Sequence, residues 1–408
     1  LFQIIMDRTF GTLFYVPEAG GLPILWQHLF WIFGHPEVYI IILPAFGVIS
    51  EVIPTFSRKP IFGYPVMILS GIFIGFMGFA VWSHHMFTTG LGAVANTAFA
   101  LTSFVIGVPT GVKIFNWLGT MWGGSIRFAT SMLYAMAFLF MFVIGGITGI
   151  MLAMPPFDAQ ANSTYFVVAH FHYVMGGGAL FAFMAGVYYW FPKMTGRLLP
   201  ERFGQLNFWL IFIGFNIIFM PQHFAGLMGM PRRTQTYEAG IGLEIWNLLS
   251  TAGTFIMGAG MILLALNVIY AFRNGKLAGN DPWDGRTLEW SISSPPPHYN
   301  FDEQPIVTDR DAFWAKKHPE LSHGDDGSQW EGMDFDAHGI HMPGQSWYPF
   351  LLALAAFIGS FGVLYTNWPL AILMLVLMIS TTYAWAFEGV GGEHIHPGDH
   401  HAAEGATD

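Results

Sequence analysis

Residues 27–53 read QHLFWIFGHPEVYIIILPAFGVISEVI. A bilayer hydrocarbon core about 30 Å thick takes about 20 apolar residues as a helix, and this stretch is long enough and free of lysine and arginine. Its apolar run is interrupted at Gly34-His35-Pro36-Glu37-Val38-Tyr39, where an imidazole, a carboxylate and a phenol stand among hydrophobic neighbours. His35 and Tyr39 are four apart and so stack on one helix face. Ionisable groups at membrane depth cost at least a few kcal/mol each, which makes them functional candidates.

Comparable runs follow near 63–86, 92–117, 128–153, 164–192, 206–228 and 247–272, with a closing pair near 348–366 and 369–387. The expectation is an all-α, polytopic transmembrane bundle: nine spans, seven in residues 1–277 and two in a hairpin at 347–388. Composition agrees, with 53% hydrophobic residues, a mean hydropathy of +0.48 and 10% charged residues against roughly 25% in an average globular chain. Leu1–Met6 reads as the last turn of an earlier apolar helix rather than a signal peptide, so the chain is expected to be the rear part of a larger membrane unit.

Charge is uneven along the chain. Residues 1–272 carry 8 acidic and 10 basic side chains and residues 273–408 carry 18 and 6, so the net −10 belongs to the tail. No basic stripe offers a nucleic-acid partner a footprint. Arg58 and Lys59, Arg127, Lys193 with Arg197 and Arg202, and Arg273 with Lys276 and Arg286 mark every second loop, which places those loops and the tail on the cytoplasmic side. Arg8 and the pair Arg232–Arg233 break this pattern. Residues 278–346, with Ser-Ser-Pro-Pro-Pro at 293–297 and Gly-Asp-Asp-Gly at 324–327, are too polar to fold alone and read as an acidic cytoplasmic linker. Residues 389–408 form a polar tail whose His394, His396, His400 and His401 read as a solvated, histidine-rich end.

The absence of cysteine excludes disulfides, thiolate zinc sites and iron–sulfur clusters, so a metal here must use histidine, carboxylate or carbonyl ligands; 16 histidines are available. His84 and His85 are adjacent and cannot share a helix face. A local turn would let both join His35 at one metal suited to copper or zinc. His170 and His172, spaced i,i+2, point about 200° apart on a helix and should serve two different centres. Lys113 is the lysine at membrane depth, with Thr110 one turn away; a hydroxyl and an amine at that spacing, with water, make a proton relay. Glu37 is the carboxylate well inside a span and, if desolvated, would hold a proton at neutral pH.

Taken together, Trp31 with His35-Pro36-Glu37-Val38-Tyr39, Trp82-Ser83-His84-His85-Met86-Phe87, Pro109-Thr110-Gly111-Val112-Lys113, Val168-Ala169-His170-Phe171-His172-Tyr173 and Met230-Pro231-Arg232-Arg233 closely resemble subunit I of the haem–copper oxygen reductases, of the A-type cytochrome oxidases, over roughly residues 1–290. The resemblance implies an enzyme of the respiratory chain that reduces O2 to water and pumps protons in an energy-transducing membrane, expected to be a bacterial plasma membrane. It implies copper on His35, His84 and His85, with His35 cross-linked to Tyr39; high-spin haem a3 on His170; and low-spin haem a on His172, its second ligand outside this chain. Arg232 and Arg233 would hold haem propionates, with Trp31 and Asp158 among the cofactor-binding residues. Glu37 would end one proton pathway, and Ser50, Thr110, Lys113 and Tyr39 would form another. Where the family usually has His-Asp helping to bind magnesium, this sequence has Asn162-Ser163, so a magnesium site is not carried over in full.

The implied partners are the missing N-terminal part of subunit I, subunits II and III, cytochrome c as electron donor, O2 and the lipid membrane. His341-Met342-Pro343, Ser346-Trp347-Tyr348-Pro349, Trp385, Glu388 and Gly392-Glu393-His394 resemble the start of subunit III. A nitric oxide reductase of the same superfamily is the nearest alternative, against which Tyr39 and Lys113 argue. A haem-free ion transporter would call for inverted repeats, and no such repeat is found in the sequence. A third alternative is a structural fragment without turnover.

Overall fold

The order of elements in the computed structural model is α1 (Phe2–Phe10), α2 (Pro23–Ser57), α3 (Tyr64–Met77), a 3-10 turn (Trp82–Met86), α4 (Ala93–Met121), α5 (Thr130–Leu152), α6 (Pro155–Ala161), α7 (Tyr165–Phe171), a π-helical stretch (His172–Leu180), α8 (Phe181–Thr195), α9 (Glu201–Leu227), α10 (Glu244–Asn274), a 3-10 turn (Leu288–Ser291), α11 (Ala312–Lys317), β1 (Ile340–Pro343), α12 (Tyr348–Leu364), α13 (Trp368–Ala386) and β2 (Gly392–Ile395). The structure describes residues 1–301, 304–307, 309–319, 340–343, 346–388 and 392–395. The Gly-Asp-Asp-Gly run at 324–327 and His396, His400 and His401 lie outside the described residues. The chain divides into two units, Leu1–Pro295 and Pro296–Asp408.

Among the described residues, seven helical segments are long and apolar enough to cross a membrane: Pro23–Ser57, Ala93–Met121, Thr130–Leu152, Tyr165–Thr195, Glu201–Leu227, Glu244–Asn274 and Trp368–Ala386. The protein is an integral membrane protein, and two of the nine expected spans are shorter than expected. The run at 63–86 is broken: α3 is a 14-residue helix, and the chain then tightens into the Trp82–Met86 turn. The break falls where α2 comes close, since a Cβ on Gly78 would lie 2.9 Å from Tyr39 Cδ2. α12 has 17 residues because the hairpin turns at Asn367, whose side chain accepts from Leu370 N–H at 3.3 Å and whose own N–H is bound by Gly362 C=O at 2.8 Å.

In the first unit, α2 holds the core together despite Pro36, Pro44 and Pro54 inside it; membrane helices tolerate such prolines inside a bundle. Its buried face, Ile42, Phe46, Ile49, Val52, Ile53 and Phe56, meets α4 and α5 through Phe46, which sets its ring edge-on against Trp117, Phe138 and Phe142 at 5.4, 6.1 and 5.3 Å. Burial of such aromatics supplies most of the apolar area. A polar knot joins four helices: Asn207 of α9 accepts from Tyr134 of α5 at 2.7 Å and Tyr188 of α8 at 3.2 Å, and donates to Gly260 C=O of α10 at 2.7 Å. Gly226 lets α9 approach α7 so closely that a Cβ there would collide with the Phe166 backbone nitrogen.

Residues 278–295, the front of the expected linker, belong to the first unit. The reason is aromatic. Trp290 is fully buried and its indole donates to Tyr189 Oη at 3.0 Å, while the Trp283 indole donates to Tyr189 C=O at 2.9 Å. Lys193 Nζ then donates to the carbonyls of Asn280, Ile292 and Ser293 at 3.0, 2.7 and 3.2 Å, fastening this strap to α8.

In the second unit α12 and α13 form the expected hairpin, with Gly362 lying against the Ala371 backbone. β1 and β2 pair antiparallel in the register Ile340–Ile395, His341–His394, Met342–Glu393 and Pro343–Gly392. This short ladder joins the segments before and after the hairpin and is an addition to the all-helical expectation.

Candidate metal centre

Along α2, residues 28, 31, 35 and 39 fall on one stripe of the helix. Opposite that stripe runs the segment from Gly78 to Met86, and the two meet rung by rung. The Trp82 indole donates to His28 Nδ1 at 3.1 Å. His85 stacks on Trp31 with ring centroids 3.7 Å apart and planes 12° from parallel. His35 faces His84 edge-on at 4.6 Å, and Tyr39 lies beside His35 at 4.5 Å.

Three imidazoles therefore meet at one point. His35 Nδ1 is 3.2 Å from His85 Nε2, which is 3.1 Å from His84 Nε2, and one ring nitrogen from each lies within 4.8 Å of the other two. Nitrogens sharing a metal at about 2.1 Å stand roughly 3–3.5 Å apart, so the donor set fits one ion. Tautomers agree with that. Ser103 Oγ donates to Phe99 C=O at 2.6 Å and so accepts from His84 Nδ1 at 2.8 Å, which leaves His84 Nε2 its lone pair. His35 Nε2 is buried without a hydrogen-bond partner, on the residue that Tyr39 flanks. The local turn needed for adjacent histidines to join one centre is the 3-10 turn Trp82–Met86.

His170 and His172 sit at the junction of α7 with the π-helical stretch. His170 turns to α5, where Nδ1 meets Gly145 C=O at 2.9 Å and Thr148 Oγ1 at 3.1 Å; His172 turns to α9 and stacks on Phe219 at 4.0 Å. The two rings thus lie on opposite sides, as the i,i+2 spacing predicts. His172 Nδ1 is held by Val168 C=O at 2.8 Å. With each Nδ1–H spent on a carbonyl, each Nε2 is free as a ligand, the usual second-shell device of metal-binding histidines.

Beyond these, Arg232 stands 5.7 Å over the Phe171 ring, between the two histidines in sequence. Its backbone N–H bonds Ser163 C=O at 2.8 Å beside the bridge between Thr164 and Pro231, so the arginine pair is pinned to the start of α7. Burial and the neighbouring Arg233 lower the Arg232 pKa. Asp158 is buried and accepts from Asn162 Nδ2 at 3.1 Å, and burial pushes its pKa up to about 6. Ser163, the other residue at the expected magnesium pair, donates to Asn162 Oδ1 at 3.0 Å.

The proton-relay candidates are less joined than expected. Ser50 Oγ donates to Phe46 C=O at 2.7 Å and accepts from Trp117 Nε1 at 3.0 Å; Thr110 donates to Ile106 C=O at 2.9 Å; Lys113 is buried and donates to Met67 C=O at 2.7 Å. Each proton rests on a backbone carbonyl rather than on the next side chain. Glu37 lies on an exposed face of α2, because its stripe points away from the helices that bury His35. His28, Ser103 and Thr148 were not singled out by the sequence, as lone hydroxyls and a histidine near a helix end carry no motif.

Fold and site together define a polytopic membrane protein with a three-histidine centre, His35 buried and His84 and His85 half-buried, and two more histidines poised as ligands. The chain belongs to the family Cytochrome C and Quinol oxidase polypeptide I, whose model matches residues 1–256. It is 50% identical over 402 residues to cytochrome c oxidase subunit 1 of Bacillus subtilis (strain 168), covering 96% of this chain and 63% of that protein. It is 47% identical over 392 residues to the quinol oxidase subunit 1 of the same organism, covering 95% and 59%. The chain thus spans less than two thirds of the length of these relatives. A cryo-EM structure of a heme-copper terminal oxidase dimer shares the fold, with a TM-score of 0.58 and 24% identity over 62% of this chain and 50% of that one.

Proposed function

We propose that this chain carries the oxygen-reducing centre of a terminal respiratory oxidase, taking O2 to water at a haem a3–copper site with coupled proton translocation. The observation that carries the reading is the convergence of His35 Nδ1, His84 Nε2 and His85 Nε2, backed by membership of the oxidase family. When bound, a haem iron and a copper would supply the redox chemistry. His35, His84 and His85 would hold the copper, His170 the high-spin haem a3 and His172 the low-spin haem a. Arg232, with Arg233, would bind propionates by charge-assisted hydrogen bonds, and Trp31 orients the His85 ring by stacking.

Tyr39, at the end of the stripe beside His35, presents a phenol proton to the oxygen site. Lys113, Thr110 and Ser50 move protons toward it along α4 and α2, and this requires each to leave its resting carbonyl; Glu37 delivers protons from the other face of α2. Asp158 and Arg232 flank the start of α7, where a propionate carboxylate would meet a cation. Cytochrome c is the proposed donor, supported by the higher identity to the cytochrome c oxidase subunit than to the quinol oxidase subunit. Subunits II and III are the proposed partners, and the bacterial plasma membrane, with the tail on the cytoplasmic side, the proposed location. The match to the Bacillus relatives covers 96% of the chain, well past the family model's end at residue 256, so α12–α13 have a counterpart within those relatives' subunit 1; the subunit III-like reading of the hairpin rests on its sequence motifs.

The test is a reduced-minus-oxidised and CO-difference spectrum with copper analysis on the whole enzyme. A CO-binding high-spin haem with copper that is lost in His84→Ala is expected. Non-haem iron in place of copper, or no haem, would overturn the reading.

A further inference from the structure

We propose that His28 is a positioning residue of the metal centre: by accepting the Trp82 indole N–H it sets the register between α2 and the Trp82–Met86 turn, and so brings His84 and His85 to His35. The inference rests on the metal reading of the three histidines given above. An indole nitrogen only donates, so at 3.1 Å His28 Nδ1 must be the acceptor, with the ring proton on Nε2. The bond therefore has one direction and one tautomer.

The turn needs such an anchor. A 3-10 segment has poorer internal hydrogen bonds than an α-helix, and this one is five residues long with no side-chain cap. Its place is set by what its side chains grip. Trp82 grips both neighbours: its indole reaches His28 of α2 and its ring lies edge-on to Phe99 of α4 at 5.0 Å. Val81, Ser83 and Met86 around it are fully buried, so a shift at Trp82 has no slack to absorb it and passes to His84 and His85.

The remaining grips depend on this one. The stack of His85 on Trp31 and the His84–Ser103 bond orient rings, but a stacked pair slides along its plane far more readily than a hydrogen bond stretches. His28 lies seven residues before His35, about 10 Å along α2 at the rise of an α-helix. At that distance it acts on the metal through Trp82.

The experiment uses the purified whole oxidase. Copper per haem is measured after dialysis against increasing concentrations of a copper chelator, in wild type, His28→Ala, Trp82→Phe, the double variant and His28→Asn, together with the C–O stretching band of the CO adduct. His28→Ala and Trp82→Phe should each release copper at about tenfold lower chelator concentration, as loss of an outer-shell partner does, and should shift or broaden the C–O band. The double variant should be no worse than either single one, because both remove the same bond. His28→Asn, whose amide oxygen stands near the place of Nδ1, should restore retention. Trp82→Phe keeps the ring against Phe99 and carries the test should His28→Ala not assemble. Copper retention and a C–O band in His28→Ala or Trp82→Phe equal to wild type, or a double variant that adds the two losses, would overturn the inference. A wild-type enzyme with haem and no copper would overturn the metal reading itself, and is told apart by appearing without any substitution.

Discussion

Asp158 shows how one side chain's surroundings become measurable. Buried at the start of α6 with Asn162 as its partner, its carboxyl has its pKa pushed up from 3.8 to about 6. The raised value means that the fold favours the protonated form: that contribution to stability is full below pH 3.8 and is lost as pH rises through about 6. A carboxyl infrared band titrating with a midpoint near 6, and missing from Asp158→Asn, is expected; a midpoint near 4 would count against it. At this scale the sequence is informative where chemistry needs a rare residue type. His35, His84, His85, His170 and His172 stand out because imidazoles are costly in apolar spans. Ser103 and Thr148, which orient two of those rings, do not, because hydroxyls are cheap in any helix. Glu37 was legible as a carboxylate within a span but not as an exposed one, since burial depends on which neighbours a helix face meets.

At the scale of the element, hydrophobic run length located the helices but not their irregularities. The run at 63–86 is continuous in hydropathy yet divides after Met77, and the run at 164–192 hides nine π-helical residues, His172–Leu180. Both departures come from packing: Tyr39 against Gly78, and Gly176 and Gly177 against Phe215 and Met141. α5 illustrates what such fits demand. A Cβ on Gly149 would lie 2.9 Å from His170 Cε1, so Gly149→Ala should push the ring off Gly145 C=O and cost about 1–3 kcal/mol, as overpacking does. A fall in melting temperature together with an altered high-spin haem spectrum is expected. An unchanged spectrum would show that the ring has room to yield.

For the molecule as a whole, charge asymmetry separated a membrane portion from an acidic tail, but composition does not show how the front of that tail is held. Residues 278–295 look like linker because they are mostly polar, with glycine and proline among them, whereas Trp283 and Trp290 decide where they go. Trp290→Ala removes a fully buried indole and should cost about 3–5 kcal/mol. The strap should then become open to proteolysis while the metal centre keeps its spectrum. Uncut protein under the same digestion would mean that Trp283 and Lys193 with its three carbonyls hold the strap without Trp290.

The strap's attachment also has an electrical meaning. Trp290 Nε1 donates to Tyr189 Oη at 3.0 Å, Tyr189 lies 3.0 Å from Thr55 Oγ1, and Thr55 donates to Glu51 C=O at 3.0 Å. With the threonine proton committed to that carbonyl, the phenol must donate to Thr55, so all three bonds point the same way. A chain that relays protons must let every hydroxyl turn over and must end on a group able to pass a proton on. This one begins at an indole, which does not give up its proton, and ends at an amide oxygen, which has none. Polar and buried, it fastens the strap to α2 through three bonds that share one donor direction.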